Sequence, residues 1–169
     1  RADGAIGGAW SGATNGYALV GNQLGVGAGG AIFLPTLYGV SQEAHVTLTR
    51  IDTSSNEIDL LLKSQSSTTW GGGVIEVWYQ PAFNRVQVWT YSLAQGWVQR
   101  GSDVPVTFVD GDRFGARATA SGQVEIYRNT QLLGVRDVSA WTYSANGGYI
   151  GLWLDNSGST RLDDFGGGP

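Results

Sequence analysis

The sequence predicts an all-β protein in which two antiparallel sheets pack face to face as a sandwich. Apolar and polar residues alternate over several stretches, as in EAHVTLTRI (43–51) and QVEIYR (123–128), and a period of two is typical of a half-buried strand. Turns rich in glycine and asparagine separate these stretches at short intervals. No stretch of ten or more residues keeps a helical period with capping residues, so long helices are not expected.

The predicted strands follow one another along the whole chain. They lie near residues 17–20, 23–26, 30–34, 43–51, 57–63, 74–80, 84–91, 96–100, 104–108, 112–119, 122–128, 131–136, 147–154 and 160–165. Turn signals bound them at 21–22, 71–73, 81–84, 110–112, 121–122, 129–130, 146–148 and 156–158. The strands richest in β-branched and aromatic residues, which favour extended structure, stand in the middle of the chain. So many strands exceed one open sheet, and two packed sheets can each bury one face.

One domain is expected from the length of 169 residues, which is long enough for a core of its own and short for two. The chain has no internal repeat. The last four residues, GGGP at 166–169, are interpreted as the start of a linker or tail, because glycine-rich segments are flexible.

Composition argues against several classes of partner and chemistry. The net charge is −4 and the single Lys and nine Arg are scattered, so no basic stripe is available for nucleic acid. No apolar run is long enough to span a bilayer, and RADGAIGGAW (1–10) lacks a signal-peptide pattern. The absence of Cys excludes disulfides, thiolate nucleophiles and Cys-ligated zinc. A surface rich in Ser, Thr, Asn, Gln and Gly and poor in Lys favours an extracellular or cell-surface location.

Three passages resemble laminin G-like jelly-roll domains of the concanavalin A-like lectin/glucanase superfamily, as found in bacterial secreted and surface proteins. They are RADGAIGGAW (1–10), SGQVEIYRNTQLLGVRD (121–137) and GGYIGLWLDNSGSTRLDDFGGG (147–168). The resemblance implies a jelly roll with a convex and a concave sheet, the concave one often binding glycans. Thr130 stands where the family prefers Gly, and Asn129 before it is able to take the positive φ of the turn.

A pair of carboxylates resembles part of a glucanase active strand, which reads roughly E-[apolar]-D-x-x-E. In EIDLLLK (57–63), Glu57 and Asp59 project from one face. The acid that a retaining glycosidase needs would fall at Leu61 or the leucine after it, so we predict that the chain is not an enzyme. Glu76 on the following strand is left open as a substitute across the sheet.

The only histidine, His45, supplies no catalytic set, because no G-x-S-x-G turn exposes a serine for it.

The candidate binding face comes from the two strands on either side of Pro81. Alternation puts Glu76 and Trp78 on one face of the first strand, opposite apolar residues that belong to the core. This face is too polar to belong to a core and has more aromatic residues than an ordinary solvent-exposed surface. A sugar stacks its C–H face on indole while carboxylates and amides bind its hydroxyls. The residues predicted to bind carbohydrate are Asp59, Lys63, Glu76, Trp78, Gln87, Trp89, Tyr91 and Trp97, with His45 as a possible extension of the same face.

A structural role for these tryptophans is an open alternative, since Trp is commonly a partly buried structural residue. Four others are assigned to the core or to loop anchoring: Trp10, Trp70, Trp141 and Trp153.

No cofactor is predicted, although a structural calcium ion at the chain ends is an alternative. Asp3, Asp163 and Asp164 supply carboxylates there, and glycine-rich ends supply carbonyl oxygens. Ordinary hydrogen bonding of these residues is the favoured interpretation, because the sequence fixes too few ligands.

These observations predict a non-catalytic, lectin-like carbohydrate-binding module whose partner is a polysaccharide or other glycan. The alternative is a structural subunit of a filament, pilus or surface layer, in which copies of the chain assemble through their sheet edges. A glycoside hydrolase or lyase is the third hypothesis.

Overall fold

Strands and three single-turn 3-10 helices make up the computed structural model, which describes residues 3–169. Residues 1 and 2, the start of the passage RADGAIGGAW, lie outside the described part. The strands are β1 (Ser11–Gly12), β2 (Tyr17–Val20), β3 (Gln23–Val26), β4 (Gly30–Phe33), β5 (Gln42–Arg50), β6 (Glu57–Ser64), β7 (Val74–Gln80), β8 (Arg85–Ser92), β9 (Gly96–Gln99), β10 (Val104–Pro105), β11 (Arg113–Ala118), β12 (Gln123–Arg128), β13 (Gln131–Asp137), β14 (Tyr149–Asp155) and β15 (Arg161–Gly168). The 3-10 turns are Thr14–Gly16, Trp70–Gly72 and Pro81–Phe83. Within residues 3–169, no helix has the length and apolar character needed to cross a membrane.

The strands form two antiparallel sheets, which confirms the predicted sandwich. The eight-stranded sheet has the order β1-β4-β14-β6-β7-β8-β10, with β9 also paired to β8. The seven-stranded sheet has the order β13-β12-β11-β5-β15-β3-β2. Neighbours such as β14 and β6 are far apart in sequence, so the fold depends on long-range pairing.

The core lies between the sheets and follows the predicted alternation. Val46 and Leu48 of β5 are fully buried against Leu60 of β6 and Val77 of β7. Because side chains alternate across a strand, every inward residue has outward neighbours that stand on the opposite face of its sheet. The inner face of β6, β7 and β8 is therefore fixed by the core, and this also fixes which residues face outward.

The chain end differs from the linker that the sequence predicts. Gly166, Gly167 and Gly168 belong to β15 and pair with the start of β5. A Cβ atom at Gly167 would meet the carbonyl oxygen of Glu43 at 2.1 Å and Ile150 Cδ1 at 2.7 Å. The glycine run is therefore a close approach of two backbones rather than a flexible tail.

One predicted strand is much shorter in the structure, and one short strand was not predicted. The strand predicted at 104–108 ends at Pro105, and the amide of Val106 donates to the carbonyl oxygen of Asn84 in the turn before β8. Beyond it, the amide of Phe108 donates to the Tyr79 hydroxyl instead. The two-residue strand β1 was not predicted.

We expect Gly167→Ala to destabilise the protein, because the added methyl group has no room against β5. Overpacking of this kind typically costs about 1–3 kcal/mol in the free energy of unfolding, which urea denaturation would measure. Gly168→Ala is the matched control, since a Cβ there meets nothing within 4 Å. Equal stability of the two variants would show that the end of β15 is not packed as described.

Candidate binding site on the eight-stranded sheet

The hairpin of β7 and β8 builds the centre of the candidate site. The strands pair across the turn at Pro81–Phe83, as predicted, with Glu76 opposite Trp89 and Trp78 opposite Gln87. Asn84 closes the turn in the left-handed conformation with a φ of 51°. The rings of Trp78 and Trp89 stand on the outer face with their centroids 6.4 Å apart and their planes at 52°.

A cavity of about 270 Å³ opens on this face of the sheet. Its lining consists of four indole rings and two carboxyl groups, from Glu57, Glu76, Trp78, Trp89, Trp97 and Trp153. The rings of Trp78 and Trp89 are half-buried and border the cavity, so they are not sealed beneath neighbouring side chains.

Glu57 and Glu76 line the cavity, and the fully buried Asp59 joins them in a cluster of three carboxyl groups from two strands. Glu57, Asp59 and Glu76 each offer an oxygen atom, and these atoms all lie within 4.8 Å of one another. Glu76 is the cross-strand partner of Leu61, which stands where a glucanase-like strand would carry its acid. The strand at 57–63 lacks the third carboxylate, as the sequence indicates, but the neighbouring strand supplies one.

Burial makes this cluster hard to ionise. Asp59 is fully buried, and no N–H or hydroxyl group donates to its carboxyl oxygens, which have the Glu57 carboxyl as their hydrogen-bonding neighbour. Burial, followed by the nearby Glu76 and Glu57, raises the pKa of Asp59 well above its usual value. Burial, together with the charge of Glu57, raises the pKa of Glu76 to about 8, and burial also raises the pKa of Glu57.

Hydrogen bonds hold the two central indoles in place. Trp78 Nε1 donates to the carbonyl oxygen of Asn56 at 2.5 Å, and Trp89 Nε1 donates to Gln87 Oε1 at 3.0 Å. Gln87 in turn donates to Asp103 Oδ1 at 2.7 Å. Gln87 was predicted to bind a ligand, but its amide is used on both sides to orient Trp89.

The other aromatic residues form a cluster beside the cavity. Tyr91 stands edge-on to Trp70, with ring centroids 4.9 Å apart, and lies 5.1 Å from Trp97. Trp70 stacks on Trp153 at 5.6 Å and 20°. Of these residues Trp97 is the most open, with 37% of its surface exposed.

Sequence reasoning missed two members of this face, Trp70 and Trp153, which were assigned to the core or to loop anchoring. The signal for Trp153 was present, because Leu152 and Leu154 on either side of it are the buried core residues of β14. Alternation therefore places Trp153 outward, opposite Asp59 of β6. Trp141 is indeed buried in the core, and Trp10 packs on Phe165 at 5.0 Å.

Lys63 and His45 do not belong to the site. Lys63 has a φ of 48°, which interrupts the alternation, and its Nζ donates to the carbonyl oxygen of Ser144 at 2.6 Å. It is fully buried and directed away from the cavity. His45 lies on β5 of the other sheet, beside Arg113 and Gly115 of β11.

The acidic residues at the chain ends do not form a comparable cluster. Among residues 3–169, Glu57, Asp59 and Glu76 are the one group of three or more acidic or metal-ligating side chains close enough to share an ion. Asp3 accepts a hydrogen bond from the amide of Gly21, and Asp163 accepts one from the amide that follows it. Both contacts are hydrogen bonds from main-chain amides to a carboxylate.

The raised pKa of Glu76 predicts a stability that falls as the pH rises. A carboxyl group whose pKa is higher in the folded state favours folding below its unfolded value, here 4.5, and this contribution is lost as the pH rises through about 8. Each unit of such a shift corresponds to about 1.4 kcal/mol. Glu76→Gln should therefore gain stability relative to the parent between pH 5 and pH 8, measured by urea unfolding. Glu125→Gln, on the outer face of the other sheet, is the control, and a pH-independent difference for Glu76→Gln would contradict the raised pKa.

Comparison with known proteins places the chain by fold alone. No protein-family model matches the sequence, and no curated protein matches it. The carbohydrate-binding module CBM66 from Bacillus subtilis superposes with a TM-score of 0.62 at 10% identity, over 99% of this chain and 95% of that one. The galectin LEC-6 from Caenorhabditis elegans gives 0.51 at 10% identity, over 76% and 81%. A variant of LamA from Z. galactanivorans, in complex with laminaritriose and laminaritetraose, gives 0.53 at 10% identity, over 90% and 79%. The chain therefore has the jelly-roll sandwich that these proteins share, as the concanavalin A-like resemblance implied.

Proposed function

We propose that this chain is a lectin-like domain that binds a glycan in the cavity on the outer face of the eight-stranded sheet. The observation that carries the proposal is the lining of that cavity, in which four indoles surround acidic groups. A sugar ring has an apolar C–H face that stacks on indole and a rim of hydroxyls that donate to carboxylates. Such a combination is poorly suited to plain solvent and well suited to a carbohydrate.

The residues take different parts in the proposed binding. Trp78, Trp89 and Trp97 would stack on the sugar, and Glu76 would accept hydrogen bonds from its hydroxyls. Tyr91 lies behind Trp97 and supports it, with the two rings 5.1 Å apart. Asp59, which is fully buried, and Gln87, whose amide is bonded to Trp89 and Asp103, would act by positioning the others.

The structural neighbours support a carbohydrate ligand, since their names describe a carbohydrate-binding module, galectins and a protein in complex with laminaritriose. We also propose an extracellular or cell-surface location, because the chain is rich in Ser, Thr, Asn, Gln and Gly and has a single Lys. Assembly of copies through sheet edges stays a prediction of the sequence.

We expect Trp89→Ala to weaken glycan binding about tenfold or more, which corresponds to about 1.4 kcal/mol or more per site. A glycan array would identify a ligand, and titration of that ligand with tryptophan fluorescence would measure the affinity. Trp97→Ala should have a similar effect, and its greater exposure limits any effect on folding.

Tyr127→Ala is the matched control, because Tyr127 is an aromatic residue on the outer face of the other sheet. Its affinity should equal that of the parent. Absence of any array ligand, or unchanged affinity of both tryptophan variants with near-UV circular dichroism intact, would disprove the proposal.

The carboxyl cluster favours glycoside hydrolysis as a second candidate function. A pKa of about 8 keeps Glu76 protonated at neutral pH, which is the state of a general acid, and Glu57 lies close enough to act as its partner. If the chain cleaves a glycan that it binds, new reducing ends should appear, and Glu76→Gln should reduce their rate at least a hundredfold, because general acid catalysis contributes about 10²–10⁴-fold. Binding without any release of reducing ends would leave the lectin-like function alone.

A further inference from the structure

We propose that the cavity selects sugars that carry a free amino group, and that the ammonium group sits against the carboxyl groups of Glu57, Asp59 and Glu76. The ligand class would be a glycan with unsubstituted hexosamine residues, such as a β-1,4-linked glucosamine chain. This inference rests on the proposed function and names the substrate class of the same site.

The first support is an acidic cluster without a compensating cation. No Lys or Arg lines the cavity, although three carboxyl oxygens lie within 4.8 Å of one another. The cations of the surrounding strands have other partners. Arg85 pairs with Asp103 at 2.7 Å, and Lys63 donates to Ser144. A bound cation would supply the positive charge that the cluster lacks when its carboxyl groups ionise.

The second support concerns hydrogen bonding and does not depend on how close the three carboxyl groups are to one another. Asp59 is 0% exposed, and no N–H or hydroxyl group donates to its carboxyl oxygens, whose hydrogen-bonding neighbour is the carboxyl group of Glu57. Buried polar groups are normally hydrogen-bonded, and leaving one unsatisfied is costly. An ammonium group carries three donors on one nitrogen atom, so it could give one hydrogen bond to each of the three carboxyl groups.

The cavity walls favour an organic cation over a metal ion. Calcium requires six to eight oxygen ligands, whereas the walls are the indoles of Trp78, Trp89, Trp97 and Trp153. An ammonium group within reach of an indole face is stabilised by a cation–π interaction, for which Trp is the best partner. The carbon skeleton of the same sugar can stack on these rings, which a metal ion cannot.

The hydrogen bonds already made by the two central indoles also favour a ligand that is rich in donors. The N–H groups of Trp78 and Trp89 are already bonded to Asn56 and Gln87. When the carboxyl groups are ionised they only accept hydrogen bonds, so the cavity presents mainly acceptors. A ligand rich in donors is favoured, and an acetylated amine, which is neutral and has one donor, is a poorer match.

Binding of the cation should release protons. The titratable groups that act on the cluster are Asp155 of β14, the core residue Tyr17 of β2, and Glu57, Asp59 and Glu76 themselves. None of these side chains brings a positive charge, and the raised pKa values leave the free cluster partly protonated near neutral pH. A bound ammonium group favours the ionised form of the carboxyl groups and so displaces their protons. A neutral sugar would not displace these protons.

The test compares three tetrasaccharides with the same β-1,4 linkage by isothermal titration calorimetry at pH 6.5. They are the glucosamine tetramer, the N-acetylglucosamine tetramer and the glucose tetramer. We expect the glucosamine tetramer to bind at least tenfold more tightly than the other two. Its binding enthalpy should also differ between phosphate and imidazole buffers, because released protons are taken up by the buffer.

Glu76→Gln keeps the shape of the side chain and removes the carboxyl group that could ionise beside a bound ammonium group, and we expect it to reduce the preference for the glucosamine tetramer at least fivefold. Glu57→Gln, at a half-buried position, serves as the second variant should the first fail to fold. Glu125→Gln on the other sheet should leave the preference unchanged. A similar loss with Glu125→Gln would indicate general charge attraction and overturn the proposal.

The outcomes separate this inference from the proposed function. Equal or weaker binding of the glucosamine tetramer, while the array or the neutral tetramers give ligands lost in Trp89→Ala, would overturn the amino-sugar preference and leave glycan binding intact. No binding of any glycan would overturn both. Calcium chloride titrated without sugar is the remaining arm, and calcium binding lost in Glu76→Gln would make the cluster a metal site and overturn the inference.

Discussion

The register between β6 and β7 is the constraint on which the site depends. It sets Asp59 beside Trp78 and Leu61 beside Glu76, and a shift of β7 by one residue would turn Glu76 and Trp78 to the other face. The register is in turn held by the core, because Leu60 pairs with Val77 on the inner face, where both are fully buried. The apolar packing between the sheets thus determines the arrangement of polar groups outside them.

This arrangement has an energetic cost that the core must offset. Three carboxyl groups held close together and away from water are unfavourable when ionised, and burial raises their pKa values. Asp59 has an indole on each neighbouring strand, Trp153 on β14 and Trp78 on β7, which excludes the water that would solvate it. Departures of this kind from good polar satisfaction are typical of functional sites.

Much of the fold could be predicted because its signals are local. Period-two alternation and turn residues located nearly every strand, and alternation alone put Glu76, Trp78 and Trp89 on one face. Pairing between strands that are far apart in the sequence could not be predicted. Trp153 reaches the cavity because it pairs with Asp59 of β6 across more than ninety intervening residues, and no local pattern encodes that contact. Lys63 was misplaced because a positive φ interrupts its strand, and His45 because its strand belongs to the other sheet.

The position of Leu61 explains why the third carboxyl group comes from a neighbouring strand. Leu61 is fully buried on the outer face with Ala31, Phe33 and Val74, and aromatic residues that include Trp70 and Trp153 cover them. A charged side chain at 61 would be enclosed by this small apolar cluster, without water or a partner. At position 76, one strand away, the same face opens into the cavity, so a carboxyl group there remains within reach of a ligand. The aromatic residues that cover Leu61 therefore close one side of the cavity. They also exclude a carboxyl group from position 61 of β6, so that the acid comes from β7.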